Sequence, residues 1–311
     1  MDQDHWHPNR EVALLAGTPA GGGQDRPARA LLGILGEQGL VPVPMALTNI
    51  PGRGGGNAWD DLARHPGDAH RLAINSPTIL SNLALGVSTL AWDSLTPLCN
   101  LYTEYLAFVV RPDSPIRDAG ALLLRLGNDT AALPIALATA IGNANHIALA
   151  GITRHAGGTV GALNIAVFDS ARDAIAHVLA GRAELGVITA ASPVPELTAG
   201  TIRCVAVSAP ERLGGIYAGA PTWREHGVDC VAGPWRGVIG PAGLTRAQIG
   251  FWEDALRAAT RTPAWRDELA RQYWSDTYLA GDALRAFLRD EDATMVAALR
   301  DLDLLREASS G

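Results

Sequence analysis

Three consecutive glycines, Gly21, Gly22 and Gly23, separate the apolar run Val12–Ala16 from a patterned helix that begins near Arg26. With Thr18, Ala20, Gln24 and Asp25 around them they make a turn whose backbone can approach a ligand closely. Several N–H groups can then point one way, and a helix N-terminus behind them adds positive potential, so the turn can hold an anion without a cationic side chain. Nucleotide motifs do not fit. A Walker loop needs Lys and a hydroxyl after its last glycine, and a dinucleotide fingerprint needs a glycine at position 26, which is Arg. Taken alone, the turn is equally a tight strand-to-helix connection with no ligand.

A second stretch, "PIALATAIGNANHIALAGITRHAG" (134–157), repeats the design of apolar strand, small polar loop and helix. Thr139, Asn143 and Asn145 offer neutral donors and a helix N-cap, and Ile147, Gly151 and Ile152 are expected to face inward. Two such loops, one in each half, can close on a negatively charged group from opposite sides.

The elements that must position them are short strands alternating with helices. Strands are expected at Val12–Ala16, Val41–Leu47, Arg71–Ile74, Phe108–Val110, Pro134–Ala138, Leu163–Phe168, Leu185–Thr189 and Ile202–Val207. Helices are expected at Arg26–Gln38, Asn145–His155, Ala171–Ala180, Arg246–Ala259, Pro263–Gln272 and Ala280–Leu305. In the first of these helices Ala28, Leu31, Leu32 and Leu35 form one apolar face, with Pro27 in the first turn and Gly39 as a stop. This alternation implies an α/β protein with parallel sheets covered on both faces, and the chain is expected to lose its strands after about residue 240.

A chain of 311 residues accommodates two domains. Its net charge of −7 argues against nucleic acid, and if the ligand is an anion the site itself must supply positive potential. No apolar run is long enough to span a membrane. The first eleven residues, "MDQDHWHPNRE", carry no apolar signal segment, so either the protein is cytoplasmic or a signal peptide has been removed. Cys99, Cys204 and Cys230 lack metal-type spacing, and an odd count forbids complete intrachain pairing. The "HWH" at 5–7 is a poor tetrahedral site.

"PAGGGQDRPAR", "TNIPGRGGGNAW", the asparagine loop before "HIALAG", and "GPWRGVIGPAGL" resemble, in order, the substrate-binding proteins of tripartite tricarboxylate transporters, the Bug or TctC family. "TEYLAFVVRPDSP" and "PAWRDELARQYWSDTYLAGDALRAFL" resemble its tricarboxylate-type branch. One landmark departs: Ile141 is bulky where many members are rich in glycine and serine. The resemblance implies a periplasmic-binding-protein-like fold of two α/β domains, 1–104 plus 235–311 and 105–234, around a cleft. It implies a periplasmic, monomeric receptor that hands a di- or tricarboxylate such as citrate to membrane permease subunits, with no cofactor, metal or catalytic residue. The ligand carboxylate is then held between Thr18–Asp25 and Thr139–Asn145, with Ser76, Thr78, Phe168, Ser170 and Thr189 at strand ends facing the same cleft.

Asp25 could recognise a ligand donor or act as a first-turn acid favoured by the helix dipole. Arg26 is expected to face solvent, and His146 to be a helix-start histidine with a local hydrogen bond. "PGRGGGNAW" is expected to shape the cleft wall, and Trp235 and Arg236 to pack between domains. A carboxylate-sensing receptor uses the same site with a different partner. An enzyme would need an acid–base pair, for which the loops offer Asp25 and His146 alone.

Overall fold

The computed structural model describes residues 6–305. From the N-terminus, β1 (Val12–Ala16), α1 (Asp25–Glu37), β2 (Met45–Asn49), α2 (Gly56–Ala63), β3 (Arg71–Asn75), α3 (Thr78–Ala84) and β4 (Thr96–Glu104) alternate. There follow β5 (Leu106–Val110), α4 (Ala119–Asn128), β6 (Pro134–Ala138), α5 (Ala144–His155), β7 (Asn164–Phe168), α6 (Ala171–Leu179), β8 (Leu185–Thr189), α7 (Val194–Thr198) and β9 (Arg203–Val207). The chain ends in β10 (Trp235–Gly240), α8 (Arg246–Thr260), α9 (Pro263–Gln272), β11 (Trp274–Ala280) and α10 (Gly281–Asp301).

The strands form two sheets, a six-stranded one ordered β11-β4-β10-β3-β1-β2 and a five-stranded one ordered β7-β6-β8-β5-β9. Both are mixed, which corrects the expectation of parallel sheets. β1, β2 and β3 run parallel, as do β6, β7 and β8, while β10, β11 and β5 pair antiparallel to their neighbours. The parallel strands are those followed by crossover helices, and they place the two polar loops at their C-terminal ends.

Each sheet is covered by helices. Leu31 and Leu35 of α1 meet Trp252 of α8 and Trp265 of α9 on one face of the first sheet. Trp59, Leu284, Leu288 and Leu299 cover its other face. In the second sheet Phe108 packs edge-on against Trp223, with centroids 5.0 Å apart, while Leu149 and Ile152 of α5 close that core. Ile147 and Gly151 do not point there. Ile147 packs with the cluster around α10, and Gly151 is exposed.

The loss of strands after residue 240 is overturned by β11. Its segment "WSDTYLA" is rich in strand-forming side chains, and Trp274 stacks on Tyr102 of β4 at 3.9 Å and 9°. The expected strand Val41–Leu47 lies later, at Met45–Asn49, because Pro42 and Pro44 have no N–H for a ladder. β4 and β10, fully apolar in places and lacking alternation, also escaped the strand reading.

The chain passes between the sheets twice, once across Tyr105 and once at 208–234. The two passages touch backbone to backbone. Glu104 N–H donates to the Pro234 carbonyl at 3.0 Å, and a Cβ on Gly233 would lie 2.2 Å from the Glu104 carbonyl oxygen. Gly233→Val should therefore separate the passages and lower the melting temperature by about 4 °C or more, read by circular dichroism. An unchanged melting curve would show that this approach is not needed.

Candidate functional site

The glycine turn folds two of its own side chains back into itself. Gln24, 3% exposed, accepts the Gly17 N–H at 2.8 Å and donates Nε2 to the Gly54 carbonyl at 3.3 Å. Asp25 is fully buried and accepts from the Gly21 N–H (2.7 Å), Arg29 Nε (2.7 Å) and Asn49 Nδ2 (2.9 Å). Burial alone would raise its carboxyl, but the Arg29 guanidinium, the Gly21 amide and the Asn49 amide outweigh that and hold it below the ordinary carboxylate value. Of the two roles open to Asp25 in the sequence, the structural one is occupied.

Most of the turn's amides are occupied as well. Thr18 Oγ1 accepts those of Gln24 (3.2 Å) and Asp25 (3.3 Å), the Pro19 carbonyl that of Gly22 (3.0 Å), and the Gly22 carbonyl that of Arg26 (3.1 Å). Pro27 has none. Among the described residues the amides of Thr18, Ala20 and Gly23 have no partner, and Ala20 and Gly23 are exposed. The turn therefore offers a few amides in a fixed frame and not an open helix end.

The frame rests on "PGRGGGNAW". Gly52, Arg53, Gly54 and Gly55 all have positive φ, and a Cβ on Gly17 would lie 2.3 Å from the Gly55 Cα, so the two glycine turns are in direct backbone contact. Gly22 has an ordinary φ. What bars a side chain there is Thr18, whose Oγ1 would be 2.6 Å from the new Cβ.

Two guanidiniums clasp the turn from outside. Arg26 Nε donates to the Gly21 carbonyl at 2.9 Å, and Arg236 Nε to the Gly23 carbonyl at 3.1 Å, with Arg236 Nη1 on the Trp235 carbonyl at 2.9 Å. Arg236 Nη2 has no partner among the described residues and lies 3.1 Å from where a Gly23 side chain would begin. The sequence reading took Arg236 for packing between domains. Its position beside the glycine turn comes from β10 lying next to β3, which no local pattern announces.

Between that arginine and the second sheet sits Glu104, 6% exposed, at the end of β4. Burial pushes its carboxyl up; Arg236, the Thr189 hydroxyl, Arg26 and the Ala191 amide pull the other way without cancelling the rise. Thr189 ends β8, and the register Ile135↔Leu185, Leu137↔Val187 brings it level with Thr139 beyond β6.

In the second loop Thr139 holds φ at +74°, an uncommon conformation for a β-branched residue, with its amide on the Phe168 carbonyl at 2.7 Å. Asn143 braces it through Nδ2 to Thr139 Oγ1 (2.8 Å) and the Ala138 carbonyl (2.7 Å), and caps α5 by accepting the His146 amide at 3.0 Å. Asn145 is buried and donates to the Val187 carbonyl at 2.8 Å. His146 accepts the Gly142 amide at 3.1 Å, the local hydrogen bond expected of a helix-start histidine, and burial lowers its pKa. Ile141 is 38% exposed at the loop tip.

Of the remaining strand-end residues, Ser76 is buried with its amide on Asn75 Oδ1 at 2.9 Å, and Thr78 abuts Gly54. The Phe168 ring lies 4.0 Å from that of His177, and Ser170 caps α6 through Asp173. The three cysteines are free, and burial pushes the Cys204 and Cys230 thiols up to about 12. No metal-ligating group of side chains and no helix long and apolar enough to cross a membrane occurs among the described residues, and His5 of "HWH" lies outside them. A cavity of about 340 Å³ opens between α5 and α10, lined by Ile147, Ala150, Gly151, Thr294 and Ala298, with Arg154 and Asp301 3.7 Å apart at its side; it is not the space between the loops.

Two α/β sheets, each with a polar loop at its strand ends, make a periplasmic-binding-protein-like fold. The chain belongs to the tripartite tricarboxylate transporter receptor family, whose TctC model matches residues 36–304 and so begins after the glycine turn. Among solved structures it is similar to a ligand-free TctC solute-binding protein from Polaromonas, with 22% identity, a TM-score of 0.77, and 95% of this chain and 100% of that one covered. It is also similar to MatC from Rhodopseudomonas palustris with bound malate (21% identity, TM-score 0.75, 94% and 99% covered). A third similar structure is an R. palustris protein with adipate (19%, 0.75, 95% and 96%). No curated protein matches the chain.

Asp25→Asn should loosen the turn and cost about 1–3 kcal/mol of stability at neutral pH, by weakening the bonds from Gly21, Asn49 and Arg29. Because the folded-state pKa is depressed, that stabilisation is present above the unfolded carboxyl value and fades as pH falls through the folded one. Urea melts of both proteins at pH 7 and pH 3 measure this, and an equal gap at both would contradict it.

Proposed function

We propose that this protein is a periplasmic receptor that captures a small di- or tricarboxylate of citrate-like size and delivers it, as a monomer, to the membrane permease of a tripartite tricarboxylate-type transporter. It performs no chemistry on the ligand. The observation that carries the reading is the set of unpartnered amides in the glycine turn, beside Arg236, at the strand ends where the second loop also emerges. Membership of the receptor family and the malate and adipate in similar structures support a carboxylate ligand.

In this reading the ligand lies between Thr18–Asp25 and Thr139–Asn145. Thr18, Ala20 and Gly23 offer amides, the first turn of α5 offers those of Ala144 and Asn145, and Thr78, Thr139 and Thr189 offer hydroxyls. Gln24, Asp25 and Asn143 hold these groups in place. Residues 1–104 with 235–311 form one domain and 105–234 the other, and capture draws them together across the passages at Tyr105 and Gly233.

A thermal-shift panel of citrate, isocitrate, tricarballylate, malate, succinate, adipate and amino acids tests the reading. A cognate acid at 100 times its Kd should stabilise the protein by about 2.7 kcal/mol. Gly22→Val, which drives a side chain into Thr18, should weaken binding of that acid at least tenfold by calorimetry, which corresponds to about 1.4 kcal/mol. A panel in which only non-carboxylates raise the melting temperature would overturn the function.

A further inference from the structure

Three features remain unused by that reading: the cavity between α5 and α10, the exposed edge strand β7, and the buried Glu104. The cavity and the edge strand have nothing in the structure to say what covers them. Glu104 is different, because its surroundings specify a chemistry.

We propose that Glu104 and Arg236 form a subsite for a hydroxycarboxylate, in which Arg236 Nη2 and the Gly23 amide take the carboxylate and Glu104 accepts a hydrogen bond from a hydroxyl on a neighbouring carbon. The inference rests on the carboxylate-receptor reading and narrows its ligand class.

Arg236 pairs directly across the ladder with Tyr102, two residues before Glu104, so the guanidinium and the carboxyl leave adjacent strands at adjoining positions. They are nonetheless not in contact, for no ion pair joins Glu104 to Arg236 or to Arg26 within 4.0 Å among the described residues. Arg236 is turned instead to the Gly23 carbonyl, which leaves Nη2 unpartnered. An ionised carboxylate has about four acceptor positions. Among the described residues no hydrogen bond reaches its carboxyl oxygens, and the nearby Thr189 hydroxyl is bonded to that of Ser192 at 3.0 Å. Acceptor capacity is therefore left over in a place from which water is largely excluded. A third group marks the same spot, since the Tyr102 hydroxyl is fully buried without a partner and lies within electrostatic reach of Arg236, Glu104 and Arg26.

A carboxylate presented to Glu104 would meet like charge in a poorly screened position, whereas a hydroxyl there gives its proton to a charged acceptor, one of the stronger hydrogen bonds available. A site built around such an acceptor discriminates against the analogue that lacks the donor, because the buried group is then left unpaired. Glu104 is thus a specificity residue, and Arg236 sets which end of the ligand enters first.

Two matched pairs test this by calorimetry on the full chain: malate against succinate, and citrate against tricarballylate, each differing by one hydroxyl. For the pair that binds, the hydroxy acid should be at least about tenfold tighter. Glu104→Gln, which keeps size and removes the charge, should shrink that ratio severalfold while the non-hydroxylated acid binds as well or better. Circular dichroism confirms that the variant is folded. Should it not fold, Glu104→Asp, which keeps the charge and withdraws the carboxyl by one methylene, carries the same expectation of a reduced ratio. Equal affinities within each pair for the wild type overturn the inference and leave the receptor reading standing. So does a variant that weakens both members of a pair alike, which is the mark of a pin between the sheets. If no acid of the wider panel binds, the receptor reading fails and the inference with it.

Discussion

The buried carboxylate of Asp25 is the constraint on which the proposed site depends. It stands at the first turn of α1, where the helix dipole already favours negative charge, and it gathers an amide from the glycine turn, an amide from the end of β2 and a guanidinium from the next turn of its own helix. One side chain thereby ties the loop, the neighbouring strand and the helix into one geometry. Gln24 adds a second tie, to Gly17 and to the Gly52–Gly55 turn. The glycines at Gly17 and Gly55 are then required by packing, because the two turns touch at their backbones. A loop rich in glycine, which in isolation would be the least ordered part of the chain, becomes one whose exposed amides are held before any ligand arrives.

That internal satisfaction changes where positive potential comes from. The protein carries a net charge of −7, and the helix end that could have offset it is capped by Thr18 Oγ1 and the Gly22 carbonyl. Arg26 and Arg236 provide it instead. Each is anchored by its Nε to a carbonyl of the glycine turn, which fixes the guanidinium planes and removes part of the entropy that a free arginine would lose on binding. A purely neutral grip, which the absence of Lys from both loops suggests, is not what surrounds the turn.

The parts of this architecture legible in the sequence are those governed by local rules. The apolar stripe of Ala28, Leu31 and Leu35, the Asn143 cap and the strand-loop-helix repeats are all read within a dozen residues, and they led to the two loops. β11 was hidden because "WSDTYLA" sits between two helical stretches, and its reason for being a strand is Tyr102 on β4, about 170 residues away. Arg236 and Glu104 were hidden for the same cause. Neither belongs to a motif, and each acquires a neighbourhood because β10 inserts between β3 and β4. Gly22 needs no positive φ; the contact that excludes a side chain there is with Thr18, four positions earlier, which no local pattern announces.

The order of strands also explains why the two sheets meet where they do. Tyr105 alone separates β4 from β5, so the last residue of one sheet and the first of the other are nearly consecutive, and the return passage is pressed against them at Gly233. Glu104 sits in that seam. Its side chain lies near Thr189 at the end of β8 and Ala191 beyond it, while its own backbone N–H donates to the carbonyl of Pro234 from the returning chain. A rotation of one sheet against the other about these passages would leave the seam nearly stationary and move the loop tips most. In the proposed closure, groups in the seam would keep their geometry, which would suit them to recognising what a ligand is. The tips at Ala20 and Ile141 would travel furthest, which would suit them to enclosing it.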